Sequence, residues 1–152
     1  MSSAQTAVEA VRKSLVVNCS PERAFEVFTR EIGSWWPVHT HSIGGDQITG
    51  VVFEERVGGR IFERHSDGGE GEWGRVLAWE PPSRFVMTWY PGSDPSKATE
   101  LEVRFAAEGD AARVELEHRG WEILAERAAE SRGNYDSGWG TVLGFYERKL
   151  ND

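Results

Sequence analysis

NYDSGWGTVLGFYERKL, residues 134–150, reads as one long helix with a face that has to be covered. On a helical wheel Tyr135, Trp139, Val142, Leu143, Tyr146 and Leu150 fall on one side, the i, i+3/i+4, i+7 steps of a buried stripe. Ser137, Thr141 and Arg148 lie opposite. Seventeen residues at about 1.5 Å rise give a rod of roughly 25 Å, long enough to cross a small domain. Glycines at 138, 140 and 144 each cost about 1 kcal/mol against alanine. Such a helix is held by packing, so the rest of the chain has to supply a cover.

The upstream sequence offers one. VRKSLVVNCS alternates as a strand, with Lys13, Leu15, Val17 and Cys19 on one face. Ser20-Pro21-Glu22 then reads as an N-cap followed by proline at the first helical position, opening a helix with Phe25, Phe28 and Ile32 on its stripe. WWPVHTHSIGGDQ is an ordered loop. From Ile48 to His118 strand follows strand, broken at Gly58-Gly59, SDGGEGE, Pro81-Pro82, PGSDPS and AEGDA. Leu101, Val103, Phe105 and then Val114, Leu116, His118 alternate with charged residues, the pattern of an antiparallel sheet with one wet face. WEILAERAAESRG predicts a short alanine-rich helix ended by Gly133. The predicted order is β-α-β(5–6)-α-α, an α+β domain over residues 11–152 after a frayed start at 1–10.

Composition removes several function classes. The net charge of −8, with no Lys/Arg cluster, argues against nucleic acid and anionic membranes as partners. No apolar run approaches the ~18 residues of a membrane span, and no signal-peptide core is present. A single cysteine, Cys19, forbids an internal disulfide and suits a reducing compartment, so the expected location is the cytoplasm.

Several motifs in this order resemble those of the helix-grip fold of the START-like (SRPBCC) superfamily. The branch they resemble most is named after activators of the heat-shock-protein-90 ATPase. The stretches that carry the likeness are SPERAFEVF at 20–28, WW at 35–36, FEERVGGR at 53–60 and GRVLAWEPP at 74–82. TELEVRF at 99–105, RVELEHRGW at 113–121 and GW at 138–139 complete it. The resemblance implies a curved antiparallel sheet gripping a long C-terminal helix. It also implies a cavity between them, used across the superfamily for lipids, hormones, polyketides and aromatic compounds. None of these stretches is a catalytic signature.

Candidate site residues follow from that frame. Trp35-Trp36, where the first helix meets the sheet, could wall an apolar pocket or close the core. His39-x-His41 has the look of half a metal site, and Asp46 or His65 could supply a third ligand, but nothing in the spacing requires it, so no metal is expected. His65 and His118 end strands, and His118 continues an apolar face, either as a ligand contact or as a satisfied core histidine. Glu54, Glu55 and Glu63 alternate with Arg56, Arg60 and Arg64 and read as a solvated ladder. Tyr135 and Tyr146 put hydroxyls on the inner stripe of the last helix. A phosphate loop, a dinucleotide fingerprint and a nucleophile elbow are absent from the sequence, so no cofactor is expected.

The reading that results is a small-molecule binding protein for an apolar or aromatic ligand. The expected contacts are Trp35, Trp36, Trp73, Trp89, Tyr135, Trp139 and Tyr146 as walls, with His41, His65 or His118 as polar groups. The alternatives are an enzyme of cyclase, dehydratase or hydrolase type in the same cavity, or an interaction protein resembling a co-chaperone. A homodimer fits either.

Overall fold

The computed structural model describes residues 8–151. Its strands are β1 (Val11–Val17), β2 (Ile48–Phe53), β3 (Arg60–His65), β4 (Glu70–Glu80), β5 (Arg84–Trp89), β6 (Thr99–Glu108) and β7 (Ala111–Arg119). They form one antiparallel sheet in the order β1-β7-β6-β5-β4-β3-β2. Helix α1 (Pro21–Phe28) follows β1, and helix α2 (Ala128–Asn151) closes the chain. This is the α+β helix-grip fold.

Local sequence explains the turns between these elements. Ser20 caps α1 by accepting the Arg23 backbone N–H at 3.1 Å, and Pro21 occupies a first-turn position where no donor is missed. Gly58, at φ +81°, and Gly59 make the β2–β3 hairpin, and a Cβ on Gly59 would lie 2.5 Å from the Glu54 carbonyl oxygen. The register slips between Ile61 and Phe62 in β3 and between Val76 and Ala78 in β4, and such bulges bend a sheet. At that bend a Cβ on Gly74 would sit 1.8 Å from the Thr88 carbonyl oxygen, so only glycine lets β4 pass β5 so closely.

The concave face of the curled sheet takes both helices. From α1 it buries Phe25 and Phe28, and from α2 Trp139, Val142, Leu143 and Tyr146, with Tyr135 and Leu150 half-buried. The stripe predicted for the last helix is therefore the face that packs. The Tyr146 hydroxyl donates to the Ala24 carbonyl at 2.7 Å and ties α2 to α1. On the other face Glu102 meets Arg84 and Arg119, each at 2.7 Å. Burial alone would raise the Glu102 pKa, but the bonds from Arg119 and Arg84 hold it at about 2.

Two boundaries differ from the sequence expectation. The predicted short helix at 121–133 is a 3₁₀ stretch, Trp121–Arg127, followed without a break by the first turns of α2. Gly133 does not end a helix, because α2 runs through it. The chain breaks instead at Ala125, a non-glycine residue at φ +53°. Of the predicted frayed start, residues 1–7 lie outside the described residues. Glu9 and Ala10 accept hydrogen bonds from Arg132 of α2 through their carbonyls.

Candidate functional site

Between the concave sheet and α2 lies a pocket of about 340 Å³. Trp36, Trp73, Trp89, Tyr135, Trp139 and Val142 wall it. Thr40, His41, Ser42 and Ile43 border it from one loop, Pro91-Gly92 from another and Gly138 from α2. Ring centroids around the space are 4.9 Å apart for Trp36–Trp73, 5.2 Å for Trp89–Trp139 and 5.7 Å for Trp36–Trp139, tilted or edge-on to one another. Large rigid rings in such contacts support each other without interdigitating as aliphatic side chains would, and so can frame an empty volume.

The loop at the rim is fixed by one buried carboxylate. Glu63 is fully buried and accepts four donors. They are the backbone N–H of Ile43 at 2.9 Å and of Gly44 at 2.6 Å, Trp73 Nε1 at 2.7 Å and His65 Nε2 at 2.6 Å. Burial alone would raise its pKa, but these bonds win and hold it below the usual carboxylate range. A Cβ on Gly44 would lie 2.8 Å from the His65 ring and 3.0 Å from Glu63 Oε2, so a larger residue there would have to displace these side chains. Glu63 thus joins the rim loop to β3 and orients Trp73 as a pocket wall. The Trp36 indole completes the anchoring by donating to the His41 carbonyl at 2.6 Å.

Behind the wall runs a second buried chain of hydrogen bonds. Trp139 Nε1 donates to His118 Nδ1 at 2.9 Å, His118 Nε2 bonds Thr99 Oγ1 at 2.6 Å, and that hydroxyl donates to the Trp89 carbonyl at 3.2 Å. An indole N–H only donates, so Nδ1 is an acceptor and the proton sits on Nε2. Burial pushes the His118 pKa down to about 3, leaving a neutral, fully bonded imidazole. Burial also pushes the Tyr135 phenol up, so it stays protonated at neutral pH.

Residues 18–145 match the family described as "Activator of Hsp90 ATPase homolog 1-like protein". The chain belongs to this family. Among solved structures it is 41% identical to an anthrahydroquino-γ-pyrone synthase, Txn09, complexed with SUM. That match covers 80% of this chain and 83% of the other, with a TM-score of 0.59. The Aha1 dimer from Colwellia psychrerythraea matches at 18% identity over 95% and 97% of the two chains, TM-score 0.63. CalU16 from Micromonospora echinospora matches at 20% identity over 90% and 72%, TM-score 0.64. The last two speak for the fold alone. A search of curated proteins returned no match.

On this family scaffold the residues singled out in sequence separate into two groups. Trp36, His41, Trp73, Trp89, Tyr135 and Trp139 border the pocket. Trp35, His65, His118 and Tyr146 do not. Trp35 donates to the Val27 carbonyl at 2.8 Å and packs against Phe28 and Tyr146 in the core beneath. His65 lies behind the rim loop on Glu63, and His118 lies behind Trp139. His39 points outward and meets Asp46 at 2.7 Å. Among the described residues no three His, Cys, Asp or Glu side chains gather as a metal cage, and no helix is long and apolar enough to cross a membrane.

Glu63 is the residue the sequence reading misjudged, since it is a buried anchor and no rung of a solvated ladder. The signal was present: alternation from buried Ile61 puts Glu63 on the inner face, while Arg60 and Arg64 stack on Phe62 on the other. Gly138 and Val142 also border the pocket and carry no polar group that could have signalled it.

Proposed function

We propose that this protein binds a flat, aromatic small molecule in the pocket between the sheet and α2. The observation that carries the reading is the wall itself: four tryptophans and a tyrosine around about 340 Å³ that the core leaves unfilled. That volume falls at the lower end of small-molecule sites, roughly 300–1,000 Å³. No Lys or Arg borders the space, so the ligand's buried part is uncharged or nearly so. Titration with 9-fluorenone, followed by tryptophan fluorescence, tests the reading. Saturable quenching with one site per chain is expected, and a linear, unsaturable response would overturn it.

A second reading, catalysis of ring closure on such a ligand, is favoured by the 41% identity to a γ-pyrone synthase over 80% of this chain. An oxygen heterocycle closes when a hydroxyl oxygen adds to an unsaturated carbon conjugated to a carbonyl. The hydroxyl proton leaves, negative charge develops on the carbonyl oxygen, and a proton returns to carbon. In this reading His41, which borders the pocket with Nδ1 on Thr40 Oγ1 at 2.7 Å, would carry the proton. The Tyr135 phenol, which borders the same space, would donate to the carbonyl. Turnover of a hydroxyaryl enone to its cyclised isomer, lost in His41→Ala with binding retained, supports this second reading. Binding with no turnover leaves the binding function alone.

A further inference from the structure

The rim loop is pinned along the backbone of the stretch that borders the pocket. The His41 N–H donates to the Pro37 carbonyl at 2.9 Å, and the His41 carbonyl accepts the indole N–H of buried Trp36 at 2.6 Å. Two residues on, the Ile43 and Gly44 N–H groups rest on the fully buried Glu63 at 2.9 and 2.6 Å. The Ser66 N–H then donates to the Gln47 carbonyl at 2.7 Å. A backbone held this way swings out only by giving up several bonds at once, some of them to buried groups. What is left to move at this border is side chains.

Two of those side chains reach opposite walls. Ile43 turns to the sheet side, where a Cβ built on Gly92 would lie 3.6 Å from its Cγ1 and one on Gly71 would lie 2.8 Å from its Cδ1. His41 turns the other way, and a Cβ built on Gly138 of α2 would lie 3.9 Å from its Cδ2. Both His41 and Gly138 border the pocket, so the imidazole crosses from the rim loop to α2 over the edge of that space. The ring is half-buried, and its one hydrogen bond among the described residues joins Nδ1 to Oγ1 of exposed Thr40 at 2.7 Å. The long-range hydrogen bonds of α2 run to Glu9, Ala10, Asn18, Ala24 and His118. Among the described residues none joins α2 to residues 37–47. On this side the rim meets the helix through a ring in van der Waals contact, tied only to its own neighbour.

Resting on the pocket reading above, we infer that the His41 imidazole is a side-chain gate at the pocket mouth, held across to α2 by Thr40, and that ligand enters and leaves past Gly138 when the ring turns away. Turning the ring gives up one hydrogen bond beside solvent and no backbone bond, so it is the least costly way to widen this border. The rim then divides into two parts. Glu63 and Trp36 fix the frame, while Thr40 and His41 set the fraction of time the frame stands open. Passage scales with that fraction in both directions. This separates a gate from a contact. Truncating a contact changes mainly the dissociation rate, whereas truncating a gate raises association and dissociation together, because one opening serves both.

Stopped-flow tryptophan fluorescence with 9-fluorenone supplies both rate constants for the intact protein, His41→Ala, Thr40→Val and the double variant. Both constants should rise in His41→Ala. They should also rise in Thr40→Val by at least about threefold, the size of one partly exposed hydrogen bond holding the ring. The dissociation constant should move less than either rate. In the His41→Ala background Thr40→Val should add nothing, since no ring is left to hold. Unchanged rates in His41→Ala would mean that ligand passes elsewhere, as between Pro91-Gly92 and Tyr135, and would overturn the gate while the pocket stands. A change confined to the dissociation rate makes His41 a contact and overturns the gate as well. No saturable binding to the intact protein overturns the pocket and the gate together.

Discussion

Trp139 Nε1 donates to His118 Nδ1 at 2.9 Å, and that bond fixes the imidazole as a neutral group with its proton on Nε2. The groups facing it are Thr99 on β6, Trp89 on β5, Trp121, and Tyr135 and Trp139 on α2, none of them charged. Stability should therefore depend on pH through His118. The folded protein protonates it only near about 3, whereas an unfolded chain does so near its ordinary 6.5. Between those values the unfolded state holds one more proton, so stability falls as pH falls, by ~1.4 kcal/mol per unit. Above 6.5 the contribution is full and flat. Urea unfolding at pH 7.5, 6 and 5 reads the slope, and His118→Gln should flatten it. An equal slope in the variant would assign the effect elsewhere.

Glu63 makes a second prediction through the loop it holds. Replacing it by Gln swaps an ionised acceptor of four donors for an amide that offers one oxygen. A loss of about 1.5–3 kcal/mol is expected in urea unfolding, the range for hydrogen bonds to a charged group. Amide exchange at Ile43 and Gly44 should accelerate more than exchange in β6 and β7. Gly44→Ala should loosen the same segment, because the added Cβ would lie 2.8 Å from the His65 ring. Unchanged exchange at Ile43 and Gly44 would show the loop is held by other contacts.

The β2–β3 hairpin makes a third. Alanine at both Gly58 and Gly59 meets a positive φ at the first and the Glu54 carbonyl at the second. The melting temperature should drop by several degrees, as a loss of about 1–2 kcal/mol would require. No change would mean the turn relaxes to another type at no cost.

The architecture was legible because it rests on periodicity. The inner stripe of α2 and the alternation in β6 and β7 are properties of side-chain order, and both are realised. The 121–133 segment was misread because alanine richness resembles helix and Gly133 resembles a stop. The break depends instead on the backbone of Ala125, which local sequence does not announce. Among the site residues, ring type pointed to Trp36 and Trp139 but not to what their N–H groups do. On sequence alone Trp139 could be a wall with a free polar tip, yet its indole is committed to His118. Truncating it would strand His118 as well as open space, so Trp139→Ala confuses wall with core. Glu63 was hidden because a carboxylate on an Arg-rich strand has a solvated reading until the rim loop is seen folding over it.

Gly138 offers the cleaner probe of the central claim. It borders the pocket from α2, and a Cβ there would find only His41 within 4 Å, at 3.9 Å. Leucine at this position projects into the ligand's space and also replaces a mid-helix glycine, a gain of roughly 0.5–1 kcal/mol in helix propensity. The decisive measurement is the dissociation constant of 9-fluorenone for Gly138→Leu alongside its melting temperature. Affinity should fall by more than about tenfold while the melting temperature holds or rises, a loss of binding that unfolding cannot explain. Unchanged affinity in a folded Gly138→Leu protein would contradict it, and would show that the ligand does not occupy the space between the sheet and α2.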